Sequence, residues 1–156
     1  MKNVFGVFCI LLLHTGITGQ VAVSYYLFQS QLSLSTNTEK TLWLDYRVET
    51  NSFLSNMNME ISPMWNFKKM ESANYYAGPG VSFNLFYIAA DIPYVNGYFL
   101  DIGARIKPFE KNRSVQIIFE ISPYINSRAT GGNLRTRLGL AYNFVRDKNK
   151  PLKKEE

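Results

Sequence analysis

Ten charged side chains carry whatever chemistry this sequence offers. Asp45, Glu49, Glu60, Asp101 and Glu120 stand against Arg47, Arg105, Lys107, Arg135 and Arg137, each alternating with apolar neighbours. Carboxylates do general acid/base work when two sit together and one pKa is raised. Asp45 and Glu60 could form such a pair, but nothing in the sequence marks any two acids as a site. The other chemistry open to these residues is pairing, since a guanidinium grips a carboxylate with two parallel hydrogen bonds. Cys9 and His14 are the only cysteine and the only histidine, and both lie within residues 1–19. If those residues are removed on export, thiolate nucleophiles, disulfides, histidine metal sites and histidine-based catalysis leave with them. The expectation is a protein without catalysis, metal or cofactor.

The elements that must position these charges are strands. In the segment from Met57, the residues Met57, Met59, Ile61, Pro63, Trp65 and Phe67 alternate with Asn58, Glu60, Ser62, Met64, Asn66 and Lys68. A strand sends successive side chains to opposite faces, so this spacing separates an apolar face from a polar one. The split recurs in Leu42, Leu44, Tyr46 and Val48 against Trp43, Asp45, Arg47 and Glu49, and in Leu100, Ile102, Ala104 and Ile106 against Asp101, Gly103, Arg105 and Lys107. Breaks rich in Ser, Asn, Thr, Gly and charge fall at 35–40, 51–56, 70–74, 90–97, 109–113 and 127–133. They delimit seven segments: 21–34, 41–50, 57–69, 75–87, 98–108, 114–126 and 134–145. Each is close to the roughly 9–11 residues that a tilted strand needs to cross a bilayer. An up-and-down barrel has an even strand count, so eight is expected, with the eighth hidden in a divided first segment, in a short strand before it, or in 86–95. Pro63, Pro79 and Pro123 argue for bends rather than flat strands. Gly78, Gly80, Gly103 and Gly139 fall on the polar face, where small residues relieve crowding in a narrow interior.

Residues 1–19 have the layout of a secretory signal peptide: Lys2, an apolar run from Val4 to Leu13, and small residues up to Gly19 before Gln20. The rest is one domain's worth of chain. Its 46% hydrophobic content and net charge of +5 would suit an ordinary globular domain. Such averages mislead for a membrane barrel, because lipid-facing residues occupy only alternate positions. Residues 146–156 combine Arg146, Lys148, Lys150, Lys153 and Lys154 with Pro151 and almost no apolar content, and are expected to be disordered. This tail is either a soluble trailing end or a periplasmic contact for an anionic partner. No nucleic-acid partner is expected, since no aromatic stacking platform accompanies the basic residues.

Which face looks outward decides the class. A soluble barrel of the lipocalin type points its apolar face inward; a membrane barrel points it at lipid. The polar faces carry five acids and five bases. A small closed interior needs that balance, because an unpaired charge away from water costs several kcal/mol. The aromatic residues Tyr25, Tyr26, Trp43, Tyr46, Trp65, Phe67, Tyr75, Tyr76, Tyr87, Tyr98, Phe99, Tyr142 and Phe144 lie towards segment ends and read as interfacial girdles.

The last segment, Arg137-Leu138-Gly139-Leu140-Ala141-Tyr142-Asn143-Phe144, resembles the terminal-strand signal by which outer-membrane barrels are recognised for assembly, with Gly139, Tyr142 and Phe144 at its marked positions. With the leader and the alternation, the chain over residues 20–145 resembles the small outer-membrane β-barrel proteins of Gram-negative bacteria. Arg146 to Glu156 departs from the pattern, in which the closing aromatic stands at or near the C-terminus. The resemblance implies an all-β, antiparallel, up-and-down transmembrane barrel. Its partners would be the bilayer and the barrel-assembly machinery, and a monomer is expected. The function expected is structural or interaction-based, with a charge-filled, closed lumen. The alternatives are a narrow porin-like channel and a soluble secreted barrel that binds an apolar ligand. An outer-membrane enzyme acting on lipid is a weaker fit, since such barrels use a histidine.

Overall fold

Eight antiparallel strands follow one another around a closed barrel in the computed structural model, which describes residues 20–50, 57–84, 87 and 93–144. They are β1 (Ala22–Tyr26), β2 (Gln31–Ser35), β3 (Leu42–Glu49), β4 (Met59–Lys69), β5 (Ala73–Phe83), β6 (Val95–Ile106), β7 (Val115–Asn126) and β8 (Gly132–Asn143). Each pairs with its sequence neighbour, and β1 closes the barrel on β8, with Ala22 opposite Asn143 and Tyr26 opposite Gly139. Residues 1–19, which the sequence reading takes as a signal peptide, and residues 146–156 lie outside the described residues, as does most of 86–95.

The eighth strand comes from division of the first segment. Residues 27–30 turn the chain between β1 and β2, and Ser30 takes a positive φ of 49°. Leu27-Phe28-Gln29-Ser30 contains none of the Gly, Asn, Asp or Pro that usually mark a turn. Hydrogen bonds hold it instead: the Thr50 backbone N–H and Oγ1 both donate to the Ser30 carbonyl, at 2.7 and 2.6 Å.

The alternation sends the polar set inward. Along β4, Glu60, Ser62, Met64 and Asn66 are buried, whereas Pro63, Trp65 and Phe67 are exposed. An eight-stranded barrel is just wide enough for side chains to fill. Pro63, Pro79 and Pro123 all face outward. Pairing of Ile61 with Val81 and Trp65 with Ala77 places Pro63 opposite Pro79. Proline has no N–H to give the ladder, and Ser62 Oγ reaches from the inner face to the Pro79 carbonyl at 2.7 Å. Bends occur at two register shifts, one between Asn66 and Lys68 and one between Ser82 and Phe83.

Glycine makes room for rings inside. A Cβ on Gly103 would come within 2.7 Å of the Tyr76 ring, and one on Gly80 within 2.1 Å of Phe99, its partner on the next strand. The girdle reading therefore fails for Tyr26, Trp43, Tyr76 and Phe99, which are buried in the lumen. Tyr25, Trp65, Phe67, Tyr75, Tyr98, Tyr142 and Phe144 do stand on the outer face.

Candidate functional site

Most of the inward charges of the described residues converge in the lumen, and each arrives there by period-two spacing. β3 supplies Asp45 and Arg47, β4 Glu60, β6 Asp101 and Arg105, β7 Glu120, and β8 Arg135 and Arg137. Register then sets first contacts, with Arg47 opposite Glu60 and Glu120 opposite Arg137.

Two guanidiniums tie the acids together across the lumen. Arg47 donates through Nη1 and Nη2 to the two oxygens of Glu120 at 2.8 and 2.9 Å, and through Nε to Asp45 Oδ2 at 2.7 Å. Its Nη1 also lies 3.0 Å from Asp101 Oδ2. Arg137 donates to Asp101 Oδ1 at 2.9 Å, Glu120 Oε1 at 2.7 Å and Glu60 Oε2 at 2.8 Å. Arg135, near the start of β8, donates to Glu60 Oε1 at 2.7 Å and Ser122 Oγ at 3.2 Å. Ser33 and Ser35 donate to Asp45 Oδ1, and Tyr76 Oη donates to Glu120 Oε2 at 2.9 Å. Both oxygens of Asp45, Glu60, Asp101 and Glu120 thus face a cation or a hydroxyl.

Arg105 is placed in the lumen but in no ion pair. It is fully buried, lies over the rings of Trp43 and Tyr76 at 4.7 and 5.9 Å, and donates to Ser24 and Ser35 at 3.5 and 3.3 Å. Ser35 passes the interaction on, because its own proton goes to Asp45 at 2.7 Å. The expectation that each inward arginine meets a carboxylate is corrected here: rings and hydroxyls replace the acid. Glu49 and Lys107 also stand outside the central cluster. Glu49 accepts from Asn58 at 2.9 Å, and Lys107 belongs to a second assembly at the end where β1 begins and β8 ends.

That assembly is built on the β2–β3 connection, residues 36–41, which folds into the barrel end. Thr38 is fully buried. Its carbonyl accepts from Asn66 at 2.8 Å, and its Oγ1 accepts from Asn143 at 3.1 Å. Glu39 accepts from Lys107 at 2.7 Å, Asn74 at 3.1 Å and Gln116 at 3.1 Å. One residue at or next to each of β4 to β8 therefore grips this loop. Burial alone would raise the Glu39 pKa, but the donors, led by Lys107, outweigh it and hold the carboxylate below its ordinary value. The sequence did not point to Glu39, which lies in a segment of turn residues. Its signal, visible only with the fold, is a set of inward Asn and Gln at one barrel end.

Gly139 of the terminal-strand pattern faces inward against Tyr26, whereas Tyr142 and Phe144 face outward with their rings 4.8 Å apart, edge to face. Among the described residues, no group of three or more His, Cys, Asp or Glu is placed to hold a metal ion. A cation entering the central cluster would first have to displace arginine. What the arrangement does chemically is pair: Arg47, Arg135 and Arg137 hold the four carboxylates, and rings and hydroxyls hold Arg105. No protein-family model and no curated protein matched the chain on comparison.

Proposed function

We propose that this chain is an exported outer-membrane β-barrel with a structural or interaction role, a closed lumen and no catalysis. The observation that carries the reading is the distribution of residues between the two faces. Charge is buried at Asp45, Arg47, Asp101, Arg105 and Arg137, whereas Leu34, Leu42, Trp65, Phe119, Ile121, Leu134 and Leu140 are each about half exposed or more. Water would oppose both choices, since it rewards burial of apolar area and solvation of charge. Hydrocarbon favours both, provided that every backbone group is paired, as a closed barrel ensures.

The ion pairs that cross the lumen and the loop at 36–41 support closure over conduction, because a pore would need both to part. They also weigh against an apolar ligand in the lumen, which would have to displace paired charges. On this reading the barrel is a monomer assembled by the outer-membrane insertion machinery, with Gly139, Tyr142 and Phe144 as its terminal-strand signal.

Electrophoresis of the outer-membrane fraction, boiled against unboiled, tests the proposal. A heat-dependent mobility shift in that fraction is the expected result, and planar bilayers containing the folded protein should show no conductance. Recovery in the soluble fraction without a shift would overturn the membrane reading.

A further inference from the structure

The two rims of the barrel differ in charge. At the end where β1 begins and β8 ends, Lys40, Lys68, Lys69, Lys111 and Arg113 are exposed, against Glu71 and Glu110 as the exposed acids among the described residues. The residues form one patch. Arg113 lies 3.5 Å from Glu71, the Lys107 backbone N–H donates to the Ser72 carbonyl at 2.7 Å, and Lys69 Nζ donates to Thr41 Oγ1 at 3.3 Å. These contacts join the β2–β3, β4–β5 and β6–β7 connections. No described carboxylate pairs with Lys40, Lys68, Lys69 or Lys111. At the opposite rim Arg128 is the only fully exposed charge among the described residues.

The patch is continuous with the apolar belt through a bulge. Asn66 pairs with Tyr76 and Lys68 with Tyr75, so Phe67 is the extra residue, and Phe67 and Lys68 both face outward. Phe67 and Tyr75 begin a groove of about 540 Å³ on the outer face, which continues past Ala104, Ile102, Phe119 and Leu138. Ala104 stands between Tyr75 and Phe119 in the register and leaves the groove its depth. An apolar groove that begins at Phe67 and Tyr75, beside Lys68 on the exposed basic rim, matches one chemistry: an acyl chain below an anionic headgroup.

We propose that this rim binds anionic glycerophospholipid, with the headgroup at Lys68, Lys69 and Lys111 and an acyl chain along the groove at Ala104. The inference rests on the membrane reading above and adds to it a lipid preference and an orientation. This rim faces a leaflet that contains anionic phospholipid.

Trp65 is the probe for the test. It is 53% exposed, and its ring lies 6.2 Å from Phe67. The full-length barrel is reconstituted in phosphatidylcholine, and tryptophan quenching by dibrominated phosphatidylglycerol is compared with quenching by dibrominated phosphatidylcholine. Trp43, inside the lumen, contributes a common background. The expected result is stronger quenching by the anionic lipid at low salt, with the preference falling about fivefold for each lysine removed in K68Q, K69Q and K111Q. In the unsubstituted protein, high salt should produce the same loss. Equal quenching by the two lipids would overturn the lipid site while leaving the membrane barrel standing. Absence of quenching by either would overturn both.

Discussion

Arg137 is the side chain on which most of the lumen depends. It contacts three carboxylates on three strands, and losing it leaves Asp101 and Glu120 to Arg47 and Glu60 to Arg135. Breaking a buried pair by removing one partner costs about 3–5 kcal/mol, so Arg137→Gln should lower the free energy of unfolding by that amount, read from urea titration as a lower midpoint. Arg105→Gln should cost less, about 1–2 kcal/mol, because it forfeits ring contacts and two hydroxyl partners but leaves no carboxylate without its cation. Equal losses in the two variants would show that the cluster is not organised around Arg137. The alternation made it legible that Arg47, Arg105, Arg135 and Arg137 point inward. Their partners were not legible, because Arg47 to Glu120 and Arg137 to Glu60 span the lumen between strands distant in sequence. Trp43 shows how a residue type can mislead. Its position between Leu42 and Leu44 sends it inward, and reading the ring as girdle overrode that spacing.

The strands were easier to read than the connections. Segments from Leu42 onward stood out because polar breaks flank them, whereas β1 and β2 ran together. Their turn pays in backbone strain for the lack of a glycine. Ser30 at φ 49° occupies the left-handed region, which costs a side-chain-bearing residue roughly 1–2 kcal/mol. Ser30→Gly relieves that strain at the expense of greater freedom in the unfolded chain. It should therefore stabilise the barrel by up to about 1 kcal/mol, read as a higher thermal or urea midpoint. The connection at 36–41 was legible as a turn but not as a plug, since its partners Asn66, Asn74, Lys107, Gln116 and Asn143 converge only after the barrel closes. Its grip depends on pH. Folding lowers the Glu39 pKa, so its stabilisation is fully present above the ordinary value of 4.5 and is lost as pH falls through the lower folded-state value. The stability gap between the unsubstituted protein and Glu39→Gln should be constant near neutrality and shrink on acidification below 4.5. A gap that stays constant down to pH 3 would mean that Glu39 is not held as a paired carboxylate.

Barrel closure explains why charge content and apolar content here are not competing descriptions. A single sheet with one apolar and one polar face becomes, when rolled, either a soluble container or a membrane span, and the direction of rolling sets the consequence of every outward substitution. Ile121 is the test position. It lies mid-strand on β7, 51% exposed, with Ile102 opposite it on β6 and Thr136 opposite it on β8. If its surroundings were water, Ile121→Arg would replace an exposed apolar group with a soluble one and change stability by no more than about 0.5 kcal/mol. In a bilayer, arginine on the lipid face near the midplane costs about 2–4 kcal/mol, and less towards the interfaces. The same substitution at Leu42, 71% exposed at the rim where β3 begins, should then cost only about 0–1 kcal/mol. Urea titration of the two variants in phospholipid vesicles measures this gradient directly. A large penalty at Ile121 and a small one at Leu42 is the expected pattern, and equal, negligible effects at both positions would place the apolar belt in water. The lumen makes the complementary demand. Because its charges are already balanced, Ile121→Arg has no inward partner to recruit, and the penalty reports lipid alone.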